Sequence, residues 1–158
     1  MRKKLVTITC ILFFILVCSA LNASAVTVSL PDMQVPAGPV EIPINIDDAT
    51  GVAGFQMTVN YDSSVLDCTK AMPGDLTKGW SVTAKTEKGK VNIGGFSPVL
   101  SELSGSGSLA KLACTVIGDS PKKTEVKISS KKLVDSKGSE IKSSGVNGIF
   151  KVKKGKEK

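Results

Sequence analysis

The stretch Gly51 to Leu66, GVAGFQMTVNYDSSVL, constrains the fold more than any other part of the sequence. Phe55, Met57, Val59 and Tyr61 alternate with Gln56, Thr58 and Asn60, the period-two pattern of a strand with one dry and one wet face. A strand dry on one side needs a second layer to cover it. Tyr61-Asp62-Ser63-Ser64 then supplies turn chemistry, because Asp and Ser side chains bond nearby backbone amides, and Val65-Leu66 opens the next apolar run. The wet face carries short, uncharged side chains, which suit a protein-binding surface and an ordinary solvated sheet equally.

The same alternation recurs along the chain. Val26, Val28 and Leu30 form one set, and Val40, Ile42, Ile44 and Ile46 another. Pro43 lies within the second set and cannot donate to a ladder, so its amide position is expected at an edge or a bulge. Asp47 to Gly51 is expected to close a hairpin into the Gly51 strand. Trp80, Val82 and Ala84 alternate with Ser81, Thr83 and Lys85, and Glu87-Lys88-Gly89-Lys90 turns the chain into Val91 and Ile93. Gly94-Gly95 is expected to mark a bulge. Ala110, Leu112, Cys114 and Val116 are predicted to face inward, with further short strands at Val126 and Ile128, at Leu133-Val134 and from Val146 to Val152. Asp135-Ser136-Lys137-Gly138 reads as a turn with too few oxygen ligands in series for calcium. Lys85, Lys88, Lys90, Lys127, Lys131 and Lys132 read as edge protection. Roughly nine short strands, no amphipathic helix and no internal repeat predict an all-β fold, a nine-stranded two-sheet sandwich of jelly-roll or immunoglobulin-like type.

The two ends differ from this body. Met1 to Ala25 has a positive start at Arg2, Lys3 and Lys4, an apolar run from Leu5 to Val17, and small residues at Ala23-Ser24-Ala25, which together describe a cleaved secretory signal peptide. The apolar run is shorter than the roughly 20 residues of a spanning helix, so no stable membrane span is expected after cleavage. Removing it lowers the formal charge from +7 to +4. The remaining excess sits in Lys151 and in the basic tail from Lys153 to Lys158, leaving the body neutral. A nucleic-acid binder would instead carry its basic excess on a folded face interleaved with aromatics. Val26 to Val152 is the length of one domain.

Catalytic chemistry is restricted by composition. The sequence has no histidine, which removes a Ser-His-Asp triad, a Cys-His dyad and any imidazole metal ligand. Acidic residues are scattered through turns, and no glycine-rich phosphate loop opens a helix. The chain reads as a non-enzyme with no catalytic residues, cofactor or metal. Cys68 and Cys114 remain after the leader; an exported protein with an even pair favours a disulfide, and two buried thiols are the other reading.

The order of several short motifs resembles the cohesin module, the receptor domain of cellulosome scaffoldins. They are Pro36-Ala37-Gly38 with Val40-Glu41-Ile42-Pro43-Ile44, then Gly51-Val52-Ala53-Gly54-Phe55, then Tyr61-Asp62-Ser63-Ser64-Val65-Leu66. Pro73-Gly74, Gly89-Lys90-Val91 and Gly107-Ser108-Leu109-Ala110-Lys111-Leu112 follow in the same order. The resemblance implies a nine-stranded jelly-roll sandwich that binds a dockerin-bearing protein, polysaccharide-degrading or cell-surface, through the face of the family's strands 8, 3, 6 and 5. Calcium would be carried by the dockerin. Mapped onto this chain, that face comprises Gln56, Thr58, Asn60, Ser81, Thr83, Asn92, Gly94, Lys127 and Ser129. The resemblance also makes neighbours of the strands holding Cys68 and Cys114. Type I members carry an Asn-x-Asp pattern on strand 3 whose aspartate accepts from dockerin hydroxyls; Gly54 and Gln56 stand here instead, without the charge-assisted part of that bond.

Two other readings share the sandwich. A carbohydrate-binding module would take polysaccharide on exposed aromatic rings, for which Trp80 is the candidate platform, Phe55, Tyr61, Phe96 and Phe150 reading mostly as core. A structural cell-surface or matrix domain would have no specific ligand. All three readings expect a secreted, extracellular or cell-surface protein.

Overall fold

The computed structural model describes residues 25–118 and 122–153, so the expected leader, apart from Ala25, and the tail beyond Lys153 lie outside the described residues. Twelve strands are present among them: β1 (Val26–Ser29), β2 (Met33–Val35), β3 (Gly38–Ile46), β4 (Gly54–Asn60), β5 (Leu66–Pro73) and β6 (Ser81–Glu87), then β7 (Lys90–Phe96), β8 (Gly107–Val116), β9 (Lys123–Val134), β10 (Glu140–Ile141), β11 (Ser143–Val146) and β12 (Gly148–Val152). The short β2, β10 and β11 add to the nine strands expected, and Val126, Ile128, Leu133 and Val134 all belong to the single long β9.

The strands form two sheets, one ordered β11-β1-β3-β8-β5 and the other β2-β12-β9-β4-β7-β6, with β10 paired to β9. Their apolar faces meet in one core. Val28, Ile42, Ile44, Leu109 and Leu112 enter from the first sheet and Met57, Val59, Val91, Ile93, Leu133 and Phe150 from the second, each at 1% exposure or less. Removing such side chains from water is what stabilises the sandwich, at roughly 1.5–3 kcal/mol for each large one. Cys68 and Cys114 stand opposite each other on β5 and β8 and are joined by a disulfide. Tyr61 sits at the corner where the chain leaves β4 for β5; its hydroxyl donates to the Glu87 carbonyl and accepts from the Cys68 amide, linking the two sheets through one oxygen.

Several local expectations are corrected. Asp47 to Gly51 does not close a hairpin, because β3 and β4 lie in different sheets. It is a crossover, held by Asp47 accepting from the Thr27 and Asp48 amides, Asp48 accepting from the Thr50 amide, and backbone bonds from Ala49 and Gly51 to Gly105 and Leu103. Pro43 follows the rule for its ring: β1 pairs β3 only at Asn45 and Ile46, so the side of β3 beyond them is open at Pro43, and a register shift lies at Ile44/Asn45. Gly94 and Gly95 form no bulge, since β7 keeps unbroken register with both β4 and β6. Gly95 is glycine because the Phe55 ring lies where its β-carbon would be. The lysines are not all edge residues either. Lys90, Lys127 and Lys132 stand on strands paired within the sheet, and Lys85 alone of the strand lysines named above is on an edge strand.

Candidate docking face

The outer side of the second sheet is built by register. Alternation in β4 turns Phe55, Met57 and Val59 into the core and leaves Gly54, Gln56, Thr58 and Asn60 outward. Pairing then fixes the neighbours of each. Val134, Gly54, Phe96 and Ser81 form one row across β9, β4, β7 and β6, and Lys132, Gln56, Gly94 and Thr83 form the next. Ser130, Thr58, Asn92 and Lys85 make the third row, and Lys127, Asn60, Lys90 and Glu87 the fourth.

The structure therefore brings Gln56, Thr58, Asn60, Ser81, Thr83, Asn92, Gly94 and Lys127 onto one face. Ser129 does not sit in this grid. The register of β4 with β9 shifts between Thr58 and Val59, so Ser129 is the additional residue of a bulge, and its hydroxyl donates to the Thr58 carbonyl. Beyond the bulge the outward positions are Ser130 and Lys132. The sequence carried a signal for this: Val126 and Ile128 face inward on even numbers and Leu133 on an odd one, so one residue between them is extra. Lys85, Lys90 and Phe96 were also missed, although they share parity with Thr83, Asn92 and Gly94.

The centre of the face is a shallow groove of about 550 Å³ above Gly94, flanked by Gln56, Thr83, Asn92 and Lys132 and closed at one end by Phe96 and Val134. A β-carbon at Gly94 would meet only the Thr83 hydroxyl, at 3.9 Å, so the floor there is open. Phe96 is 57% exposed and corrects its reading as core. Val99 and Leu100 follow in the turn after β7, also exposed, in a loop closed by hydrogen bonds between Ser97 and Ser101. This end of the face is apolar.

The rest of the face mixes carboxamides and hydroxyls, which donate and accept, with charged groups. Thr58 donates its hydroxyl proton to Asn92 Oδ1 at 2.8 Å, which leaves the Asn92 amide nitrogen to donate outward. Glu87 is paired with Lys85 at 3.4 Å and Glu125 with Lys127 at 3.1 Å. The Asn147 amide also donates to Glu125, and this bond, then Lys127, holds its carboxyl below the ordinary glutamate value. Lys90 and Lys132 have no ionic partner among the described residues.

Trp80 is not an exposed platform. It is half-buried and stacked on Phe55, with ring centroids 6.4 Å apart and planes 19° from parallel. The segment before it is anchored by Thr77, fully buried, whose hydroxyl donates to the Leu109 carbonyl and accepts from the Gly74 amide. Among the described residues, no His, Cys, Asp or Glu cluster is arranged to hold a metal ion, and no helix is long and apolar enough to cross a membrane.

Comparison with known proteins bears on the fold and the family. No curated protein matches the sequence. Among solved structures, a non-cellulosomal cohesin from the archaeon Archaeoglobus fulgidus superposes with a TM-score of 0.72 at 21% identity, covering 82% of this chain and 92% of that one. The sixth cohesin of Acetivibrio cellulolyticus scaffoldin B, solved in complex with a Cel5 dockerin mutant, gives 0.72 at 20% identity over 82% and 100% of the two chains. The OlpA cohesin of Clostridium thermocellum, solved in complex with Doc918, gives 0.73 at 13% identity over the same shares. At these identities the likeness shows the fold alone. The family profile described as the Cohesin domain matches residues 26–152, and the chain belongs to the cohesin domain family.

Proposed function

We propose that the chain is an exported, non-catalytic receptor that docks a dockerin-bearing protein on the outer face of β9, β4, β7 and β6. The observation that carries the reading is the face itself: a flat four-strand surface with an open, uncharged floor at Gly94, an apolar end at Phe96, and outward donors at Asn92 and the surrounding lysines. A rigid sheet of this kind can receive a partner without reorganising, which limits the entropy lost on binding. Solved relatives in complex with dockerins support a partner of the same class. Gln56, Thr58, Asn60, Ser81, Thr83, Asn92, Gly94 and Lys127 are the contact residues of this reading, joined by Ser130, Lys132, Lys85, Lys90 and Phe96. The Met1 to Ala25 leader directs export, and calcium belongs to the dockerin.

The test is capture of secreted proteins of the source organism on the immobilised domain, with calcium and then with chelator. A dockerin folds around bound calcium, so its release on chelation is expected. Gly94→Arg fills the groove from an open position and is expected to abolish capture while the fold persists. Capture that survives both chelation and Gly94→Arg would sink the proposal.

A further inference from the structure

The body of the chain is electrically neutral, yet its charge is unevenly distributed between the two outer faces. On the second sheet, alternation and register turn Lys85, Lys90, Lys123, Lys127, Lys132 and Lys151 outward against Glu87, Glu125 and, opposite Val134 on β10, Glu140. The outer face of the first sheet carries Lys70 and Lys111 against Glu41, Asp67 and Asp75, the last bonded to Lys111 at 2.8 Å, so it has no basic excess. Glu87 and Glu125 already have lysine partners, at 3.4 and 3.1 Å. Lys132, at the side of the groove, and Lys90, half-buried two rows further along the face, have no such partner among the described residues. In the row between them, Asn92 accepts the Thr58 hydroxyl proton at its oxygen and keeps its N–H bonds free to donate.

From this we infer that the docked partner presents an acidic surface: Asp or Glu side chains on its contacting helices, placed to meet Lys132 and Lys90, with an apolar residue toward Phe96. The inference rests on the docking role proposed above and adds the partner's charge to it. Lysines outnumber carboxylates two to one on this face, and a surface with that cationic excess recognises carboxylates and rejects a partner bearing lysine or arginine. The apolar end argues for a protein rather than a linear polyanion. A polyanion has nothing to place against Phe96, and a folded helix pair has.

The experiment uses the full secreted chain and a displayed library on a calcium-loaded two-helix dockerin scaffold, its contact positions randomised among Asp, Lys, Ser and Leu. Clones that still bind Gly94→Arg are discarded as binding elsewhere. The expected survivors are enriched several-fold in Asp over Lys, and their affinity falls about tenfold between about 50 and 500 mM salt. The variant combining Lys90→Glu and Lys132→Glu, both on the outer face, is expected to invert the enrichment toward Lys. Survivors that are neutral or lysine-rich and indifferent to salt would overturn the charge inference and leave docking intact. Polygalacturonate displacing the acidic clones from wild type but not from the double variant, with equal or tighter affinity, would overturn it in favour of an anionic polymer. No clone dependent on Gly94 would overturn the docking face and this inference together.

Discussion

Gly94 and Gly95 are adjacent, yet the same substitution is expected to shift stability in opposite directions. At Gly95 a β-carbon would be placed against Cε1 and Cζ of Phe55. That ring is 4% exposed and stacked against Trp80, and it must shift to admit the new carbon. Overpacking of this kind costs about 1–3 kcal/mol, and the gain of roughly 0.5–1 kcal/mol from replacing glycine in a strand offsets only part of it. At Gly94 the new carbon meets nothing closer than 3.9 Å, so the entropic gain stands alone. For a domain of about 130 residues, 1 kcal/mol corresponds to roughly 4 °C in Tm. Gly95→Ala is therefore expected to lower Tm by about 2–8 °C and Gly94→Ala to raise it by about 2–4 °C. Thermal melts followed by far-ultraviolet circular dichroism under one buffer condition read both. Equal shifts for the two variants, or a stabilised Gly95→Ala, would refute the assignment of one glycine to the core and the other to the face.

Other consequences are as direct. Replacing Cys68 and Cys114 together by Ala opens a loop with a sequence separation of 46 and is expected to cost about 3–4 kcal/mol, read as a lowered denaturation midpoint; a mass unchanged by reductant in wild type would contradict the bond itself. Thr77→Val keeps the volume and removes a hydroxyl that serves Leu109 and Gly74, for an expected loss of about 1–3 kcal/mol by urea unfolding; an unchanged midpoint would dispute that anchor. Asp75 is held below the ordinary carboxylate value by the Lys111 ammonium and the Ser108 hydroxyl, Asp47 by the Thr27 amide, and Asp62 by Ser64. A lowered folded value means that their contribution is complete above about pH 4 to 5 and disappears as pH falls through that lowered value. Tm is thus expected to decline on acidification below about pH 4, and less steeply in Asp75→Asn; a slope unaltered by the substitution would remove Asp75 from the cause.

How far the sequence reveals this architecture depends on whether a residue's placement is decided locally. Strands β3, β4, β7 and β8 were readable because each alternates against a single core, and a local period of two is all that requires. The sheet to which a strand belongs is not local. Nothing in Asp47 to Gly51 distinguishes a hairpin from a crossover; the choice is made by β3 pairing with β8 and β4 with β7 and β9, distant in sequence. The face was legible where parity held, in Gln56, Thr58, Asn60, Thr83, Asn92 and Gly94. It failed where hydrophobicity was allowed to outrank parity, as at Phe96, and where parity changed within a strand, as at Ser129. Gly95 was misread because the reason for its small size is a ring from a neighbouring strand.

The position of Trp80 has an optical consequence. It is the sole tryptophan of the chain and sits immediately before β6, the outermost strand beside the groove, with its ring against Phe55. Indole fluorescence from this protein therefore originates at one joint. Peeling β6 from β7 would wet that ring and shift its emission to longer wavelength while the remaining strands still gave a full circular-dichroism signal. Comparison of the two signals during unfolding measures whether the rim of the face loosens before the sandwich does, without any label being introduced.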